Sequence, residues 1–264
     1  MNIIKRLSIF ALALQGLAFS GMVCAQSSAE QQAQQPIPAS RNFIGLGIGA
    51  FPKTPGSSDL RVMALPVLQY TFGDVGYITG LKAGVWGFTS EDQSIRIGLY
   101  AEPRFGYDSA DNPLTAGMAN RSFAIDLGPS VRWTTPMGVL NFDYGFDVSS
   151  RSDGQVAQLQ FIRPLVSEIG FRLNGVVGAT WQNAAMNNYY WGVRASEATA
   201  TRAAYTAGAG VGLSVGLSGL YAFGPTSALF YGATINRLSS AQSNSPIAER
   251  GFAPLIYLGY GWRM

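Results

Sequence analysis

The chain has 264 residues, 47% of them apolar, which is enough for one substantial domain. Charged residues make up only 12%, about half the usual share for a soluble domain, and a net charge of +3 offers no broad basic patch for nucleic acid. There is no histidine and a single cysteine, Cys24, so general-base chemistry on imidazole and the soft or imidazole metal ligands have almost no residues to work with.

In chain order, Lys5 and Arg6 precede an apolar stretch over 7–23 that is interrupted by Ser8, Gln15 and Ser20. Val23-Cys24-Ala25 then offers small residues before a cut, which predicts a secretory signal over 1–25. Acylation of Cys24 would need a small residue ahead of it, and Val23 stands there. Cleavage after Ala25 removes two bases and no acid, taking the charge from +3 to +1, and it removes the cysteine, so no disulfide is expected. Residues 26–40 are rich in Gln, Ser, Ala and Pro and read as a flexible lead-in. A single domain is expected over 41–264.

Within that domain, segment after segment alternates an apolar residue with a small or polar one. In 139–148, Leu140, Phe142, Tyr144, Phe146 and Val148 share one face, and Asn141, Asp143, Gly145 and Asp147 share the other. A period of two places neighbours on opposite sides of a sheet. Repeated along a secreted chain, it predicts an all-β transmembrane antiparallel barrel. Strands are expected at 42–51, 61–72, 75–87, 93–105, 121–134, 138–149, 155–164, 168–181, 204–222, 228–238 and 252–263. Single-chain bacterial barrels normally have an even count. Twelve strands are therefore expected, with ten as the fallback and a missed strand between about 74 and 121. Tight turns are expected at 134–138, 164–168 and 224–227, and long outer loops at 106–120, 182–203 and 239–251. Counted back from a periplasmic C-terminus, the tight turns fall inside and the long loops outside.

Alternation also assigns faces. Arg96, Glu102, Arg104, Asp126, Arg132, Asp143, Asp147 and Arg172 are predicted to face the lumen, opposite apolar rows such as Ile95, Ile97 and Leu99. Mixed charge on neighbouring strands suits an internal ion-pair network first and a selective constriction second. Paired carboxylates such as Asp143 and Asp147 are ordinary spacing along one strand, so no catalytic site is expected. Asp108 and Asp111 are too few for a calcium loop of the EF type, and no cofactor or metal is expected. Inward glycines (45, 47, 49, 208, 210 and 212) lie on strand alternation rather than in a phosphate loop. Tyr189, Tyr190 and Trp191 sit in a long outer loop. They are candidates for contact with a partner or lipopolysaccharide, or for folding back over the mouth, which is the favoured reading.

Four places resemble the MipA/OmpV family, also called the MltA-interacting protein family. They are Gly45-Leu-Gly47-Ile-Gly49, then Leu65-Pro-Val-Leu-Gln-Tyr70, then Tyr189-Tyr-Trp-Gly-Val193 with Ser196 and Tyr205, and finally Leu238 with Ser245 and Pro246. Ala241 stands where the family usually has an acid. The resemblance implies a location in the bacterial outer membrane among lipid and lipopolysaccharide. It also implies a scaffolding role joining a lytic transglycosylase to a penicillin-binding synthase. A narrow channel and a surface adhesin using the loops 182–203 and 239–251 are the alternatives.

Overall fold

The computed structural model describes residues 42–264. The expected signal at 1–25 and lead-in at 26–40 lie outside the described residues. Twelve antiparallel strands run β1 (Phe43–Pro52), β2 (Leu60–Phe72), β3 (Gly76–Thr79), β4 (Lys82–Thr89), β5 (Ile95–Arg104), β6 (Ala124–Thr135), β7 (Gly138–Asp147), β8 (Gln155–Glu168), β9 (Phe171–Gln182), β10 (Gly210–Ala222), β11 (Ser227–Arg237) and β12 (Phe252–Arg263). Each pairs with its neighbours in sequence, and β1 closes the barrel on β12, with Gly45 opposite Gly261 and Gly49 opposite Tyr257. An up-and-down barrel closes antiparallel only with an even strand count, so the described chain begins and ends on one side.

The missing strand lies in the expected window. The segment read as one strand over 75–87 is two, β3 and β4, turned at Gly80 and Leu81, and Gly80 adopts φ +57°. A Cβ is disfavoured at such a φ, so glycine suits this tight reversal. Another expectation is corrected at 164–168. These residues belong to β8, with the register shifting between Pro164 and Val166, and the turn comes later at Ile169 and Gly170. Proline lacks the N–H a ladder needs, and the bulge absorbs that loss. β10 begins at Gly210 rather than near 204, because Tyr205 pairs with Val193 inside the preceding loop; Gly208 therefore lies before the strand.

The apolar rows point outward. Ile44, Leu46, Ile48, Ile97, Leu99, Val177, Val215 and Ile256 are all exposed, Leu46 to 68%. In water such a surface would drive aggregation, and in hydrocarbon it is the low-energy arrangement. Near the strand ends on the chain-terminus side, Tyr70 with Phe72, Tyr221 with Phe223 and Tyr260 with Trp262 form edge-to-face pairs. Amphipathic rings settle at the headgroup level, so this belt marks one membrane boundary.

Inside, the wall from β9 through β12 to β2 carries no buried ion pair among the described residues; Asn174, Gln182, Asn236 and Gln69 are among its buried polar residues, and much of the rest is small or apolar. Glycines on β1 and β12 admit side chains from β2. A Cβ at Gly49 would lie 2.4 Å from Leu65 Cδ1, and one at Gly259 would lie 2.4 Å from Val67 Cγ2. Phe43, Leu65, Ile162, Val176, Phe230 and Tyr257 form a buried cluster, with Val67, Leu81 and Leu220 packed against it. The barrel is therefore filled with side chains on this side, as expected for small barrels.

Candidate functional site

The lumen charges collect in one sector. Arg104 on β5 donates from Nε and Nη2 to Asp126 Oδ2 on β6, at 2.9 and 2.5 Å. Lys82 on β4 reaches across to Asp143 on β7 in a buried ion pair, and its Nζ lies 4.3 Å from the centre of the Tyr100 ring. Arg132 donates to Asn141 Oδ1 at 3.1 Å and lies 5.6 Å from the centre of the Trp86 ring, which stacks on Tyr77. Glu102 sits among these groups, half-buried. The cation partners are as important as the acids, because an ionised group in this interior needs an opposite charge or hydrogen bonds.

Three predicted lumen residues take no part in those ion pairs. Arg96 is opposite Arg132 in the β5–β6 register and half-buried. Arg172 lies near the turn end of β9, where its carbonyl accepts from the Tyr231 hydroxyl at 2.8 Å. Asp147 is at the outer end of β7 and ties down the next loop. Its oxygens accept from the backbone N–H of Ser149, Arg151 and Ser152 and from the two serine hydroxyls. Asp108 caps a short 3-10 turn at Ser109–Asp111, and Asp111 pairs with Arg61 at 3.6 Å.

Sequence reasoning missed Lys82. Its signal was present: Ala83 and Val85 face outward, so Lys82 and Trp86 fall on the inner row. Gly145 was assigned correctly to the inner row, but its purpose is visible only in three dimensions. A Cβ there would lie 2.4 Å from Tyr100 Oη and 3.2 Å from Asp126 Cβ. Gly145→Ala is expected to push the stiff Tyr100 ring against the ion pairs and cost about 1–3 kcal/mol. The readout is a lowered temperature for the gel-mobility change from folded to unfolded barrel.

Above this sector the long loops form a cap. A helix, α1 (Ala184–Trp191), starts at Asn183, whose side chain accepts from Met186 N. Met186, Asn187, Tyr190 and Trp191 are buried. Tyr190 and Trp191 thus turn inward over the barrel mouth, and Tyr189 is half-buried with its hydroxyl accepting from Ser122 N at 2.8 Å. The reason is hydrophobic: Val156, Leu238 and Ala253 at the rim offer these rings an apolar seat.

Arg121 is the hub of the cap. It donates to the carbonyls of Ala119, Tyr189 and Gly192 and to both oxygens of Glu197. Arg202 donates to the carbonyls of Leu114, Ala116 and Glu197. The Ser245 hydroxyl donates to Trp191 O at 2.5 Å, which adds the third loop. Burial pushes the Glu197 carboxyl up, but hydrogen bonds from Arg121 and from the backbone N–H of Arg194 and Ala119 outweigh it and hold the group at about 2.

Residues 44–264 match the family described as MltA-interacting protein MipA. The chain belongs to that family. It is 28% identical over 209 residues to the outer membrane protein Omp26La of Vibrio anguillarum, covering 76% of this chain and 79% of that protein. It is 24% identical over 223 residues to the MltA-interacting protein of Escherichia coli (strain K12), covering 83% of this chain and 89% of that protein. Among solved structures, the NanC porin aligns with a TM-score of 0.44 at 8% identity, covering 83% of this chain and 100% of that one. This member of the MipA family is accordingly an outer-membrane β-barrel protein. Its lipid-facing rows are the membrane-spanning surface; the short turns lie on the side where the described chain begins and ends and the long loops on the other, the asymmetry usual between the periplasmic and outer sides of such barrels.

Proposed function

We propose that this MipA-family barrel is a non-enzymatic anchor that holds cell-wall enzymes at the periplasmic side of the outer membrane. The observation that carries the reading is the double closure of the lumen. The apolar cluster of Phe43, Leu65, Ile162, Val176, Phe230 and Tyr257 fills it from one side, and the interlocked cap covers the mouth. A barrel filled in this way works through its surfaces. One relative is called MltA-interacting protein, which supports a lytic transglycosylase as a partner, with a penicillin-binding synthase as the companion enzyme. Lipid and lipopolysaccharide are the natural neighbours of its outward rows.

Two experiments test the proposal. Mild crosslinking of cells followed by detergent extraction and pull-down is expected to recover a murein hydrolase or synthase, and its repeated absence would overturn the reading. Purified folded protein in planar bilayers is expected to stay electrically silent.

A narrow channel is the second reading, favoured by the charged sector of Lys82, Glu102, Arg104, Asp126, Arg132 and Asp143. Regular conductance steps, with ion preference altered by Arg132→Gln, would establish it instead.

A further inference from the structure

The barrel wall has an interruption. β2 pairs with β3 only from Gln69 to Phe72, and β5 pairs with β4 only as far as Ala101. Beyond the Gly80 turn, no strand among the described residues lies between the outer half of β2 and the last residues of β5. Leu68 O accepts from Gly80 N, so the two-residue alternation turns the N–H and C=O of Val62 and Ala64, and the C=O of Pro66, toward this gap. Ile95 O accepts from Ser90 N, and the same alternation turns the C=O of Pro103 toward it from the other edge. None of these groups has a hydrogen-bond partner among the described residues.

These groups lie at lipid depth. Ala64 is opposite Ile48, which is opposite Leu258, and both of those residues are exposed in the outward rows. Counted from Tyr70 in the ring belt at ~3.3 Å per residue, Ala64 is roughly 20 Å along the strand. At the usual tilt that is roughly 15 Å in height, inside an apolar band about 25 Å tall. Behind the gap, Leu81 at the hairpin tip packs on the cluster that includes Leu65 and Phe105. The result is a groove in the outer wall with an oily floor and polar backbone edges. In hydrocarbon no water pairs an open edge, so each unpaired group there is costly. The prolines decide what kind of partner is missing. Each removes an N–H, so the carbonyls of Val62, Ala64, Pro66 and Pro103 outnumber the N–H groups of Val62 and Ala64. An occupant must therefore bring donors as well as acceptors on an otherwise apolar body.

We propose that the groove between β2 and β5 holds an acyl chain of an outer-leaflet lipid with amide or hydroxyl donors on or beside that chain, the chemistry of the lipid anchor of lipopolysaccharide. A membrane lipid is the occupant because the groove opens on the lipid-facing rows, with Leu60, Val62 and Ala64 exposed beside it. A diacyl phospholipid offers only ester acceptors at this depth and leaves the carbonyls unpaired. A peptide strand fits less well, since Pro66 and Pro103 break the run of donors that a ladder on either edge needs. This site needs the outer-membrane position of the barrel and is separate from the anchoring role.

The test compares sphingomyelin with phosphatidylcholine, which share a head group while only the first has an amide N–H and a hydroxyl at the base of its chains. Native mass spectrometry of the purified chain released from detergent micelles is expected to show sphingomyelin retained saturably, with phosphatidylcholine held about tenfold more weakly. Lipid A is expected to displace the sphingomyelin. Lengthening the β3–β4 hairpin on both arms, so that it pairs with β2 as far as Val62, is expected to abolish retention while the gel-mobility shift of the folded barrel persists. Ala64→Pro removes an edge N–H from a strand that already takes Pro66, so the barrel should fold and retention should fall. In cells, a photo-crosslinking residue at Val62 is expected to capture lipid.

Equal retention of sphingomyelin and phosphatidylcholine would overturn the donor requirement. Unchanged retention in folded Ala64→Pro, or in the folded long-hairpin variant, would overturn the groove. A polypeptide crosslinked at Val62 would overturn the lipid as its occupant. Recovery of cell-wall enzymes by Ala64→Pro is expected to match that of the unaltered protein, so the anchoring role and this site fail separately.

Discussion

Arg121→Ala is expected to release the cap while leaving the barrel intact. The side chain is 1% exposed and bonds three backbone carbonyls and both oxygens of Glu197. Removing it strands a buried carboxylate, a loss of about 3–5 kcal/mol. The cost falls on the loops, because every partner lies outside the strands. Limited proteolysis should cut within 105–123 and 183–209 at least a hundredfold faster, which is the factor corresponding to about 2.7 kcal/mol when opening and reclosing are fast relative to cleavage. The gel-mobility shift of the folded barrel should survive. Unchanged protease resistance would show that Arg121 is not the hub.

Acid should act on the same pair at a definite place. The Glu197 carboxyl is held below its ordinary 4.5, at about 2. A depressed acid contributes stability that is complete above the ordinary value and is lost as pH falls through the folded one. Cap protection should therefore be constant from neutrality to near pH 5. It should decline between there and pH 2, and Glu197→Gln should flatten that decline.

Lys82→Met is the second large effect. Lys82 and Asp143 are both buried and paired across the lumen, and Asp143 Oδ1 has no hydrogen bond among the described residues. Losing the cation leaves an uncompensated charge in an interior shared with Glu102 and Asp126. About 3–5 kcal/mol of barrel stability should disappear, measured by urea unfolding in lipid vesicles. The double variant Lys82→Met with Asp143→Asn should recover much of the loss, because the stranded charge is gone. A double variant no better than the single one would mean that packing, and not charge, holds this sector.

Much of this was legible in the residues themselves. Asp126, Arg132 and Asp143 lie on inner rows because each has an outward apolar neighbour, such as Ile125, Trp133 and Phe142, and a strand has no other way to place them. The same local rule failed at 75–87. A turn as short as Gly80 and Leu81 barely interrupts an alternating pattern, so two strands read as one and Lys82 went unnoticed. The cap was hidden for a different reason. Arg121, Glu197 and Arg202 come from loops far apart in sequence, and no periodicity marks their meeting.

The sequence by itself determined the side-to-side alternation, the low charge and the oily outer rows, because a period of two is a property of adjacent residues. Only the tertiary structure decided which cation meets which acid, that glycines on β1 and β12 receive Leu65 and Val67, and that one hairpin stops short of the rim. Those outcomes depend on register between strands and on closure of the ring, and such distances are set by residues that are not neighbours in the chain.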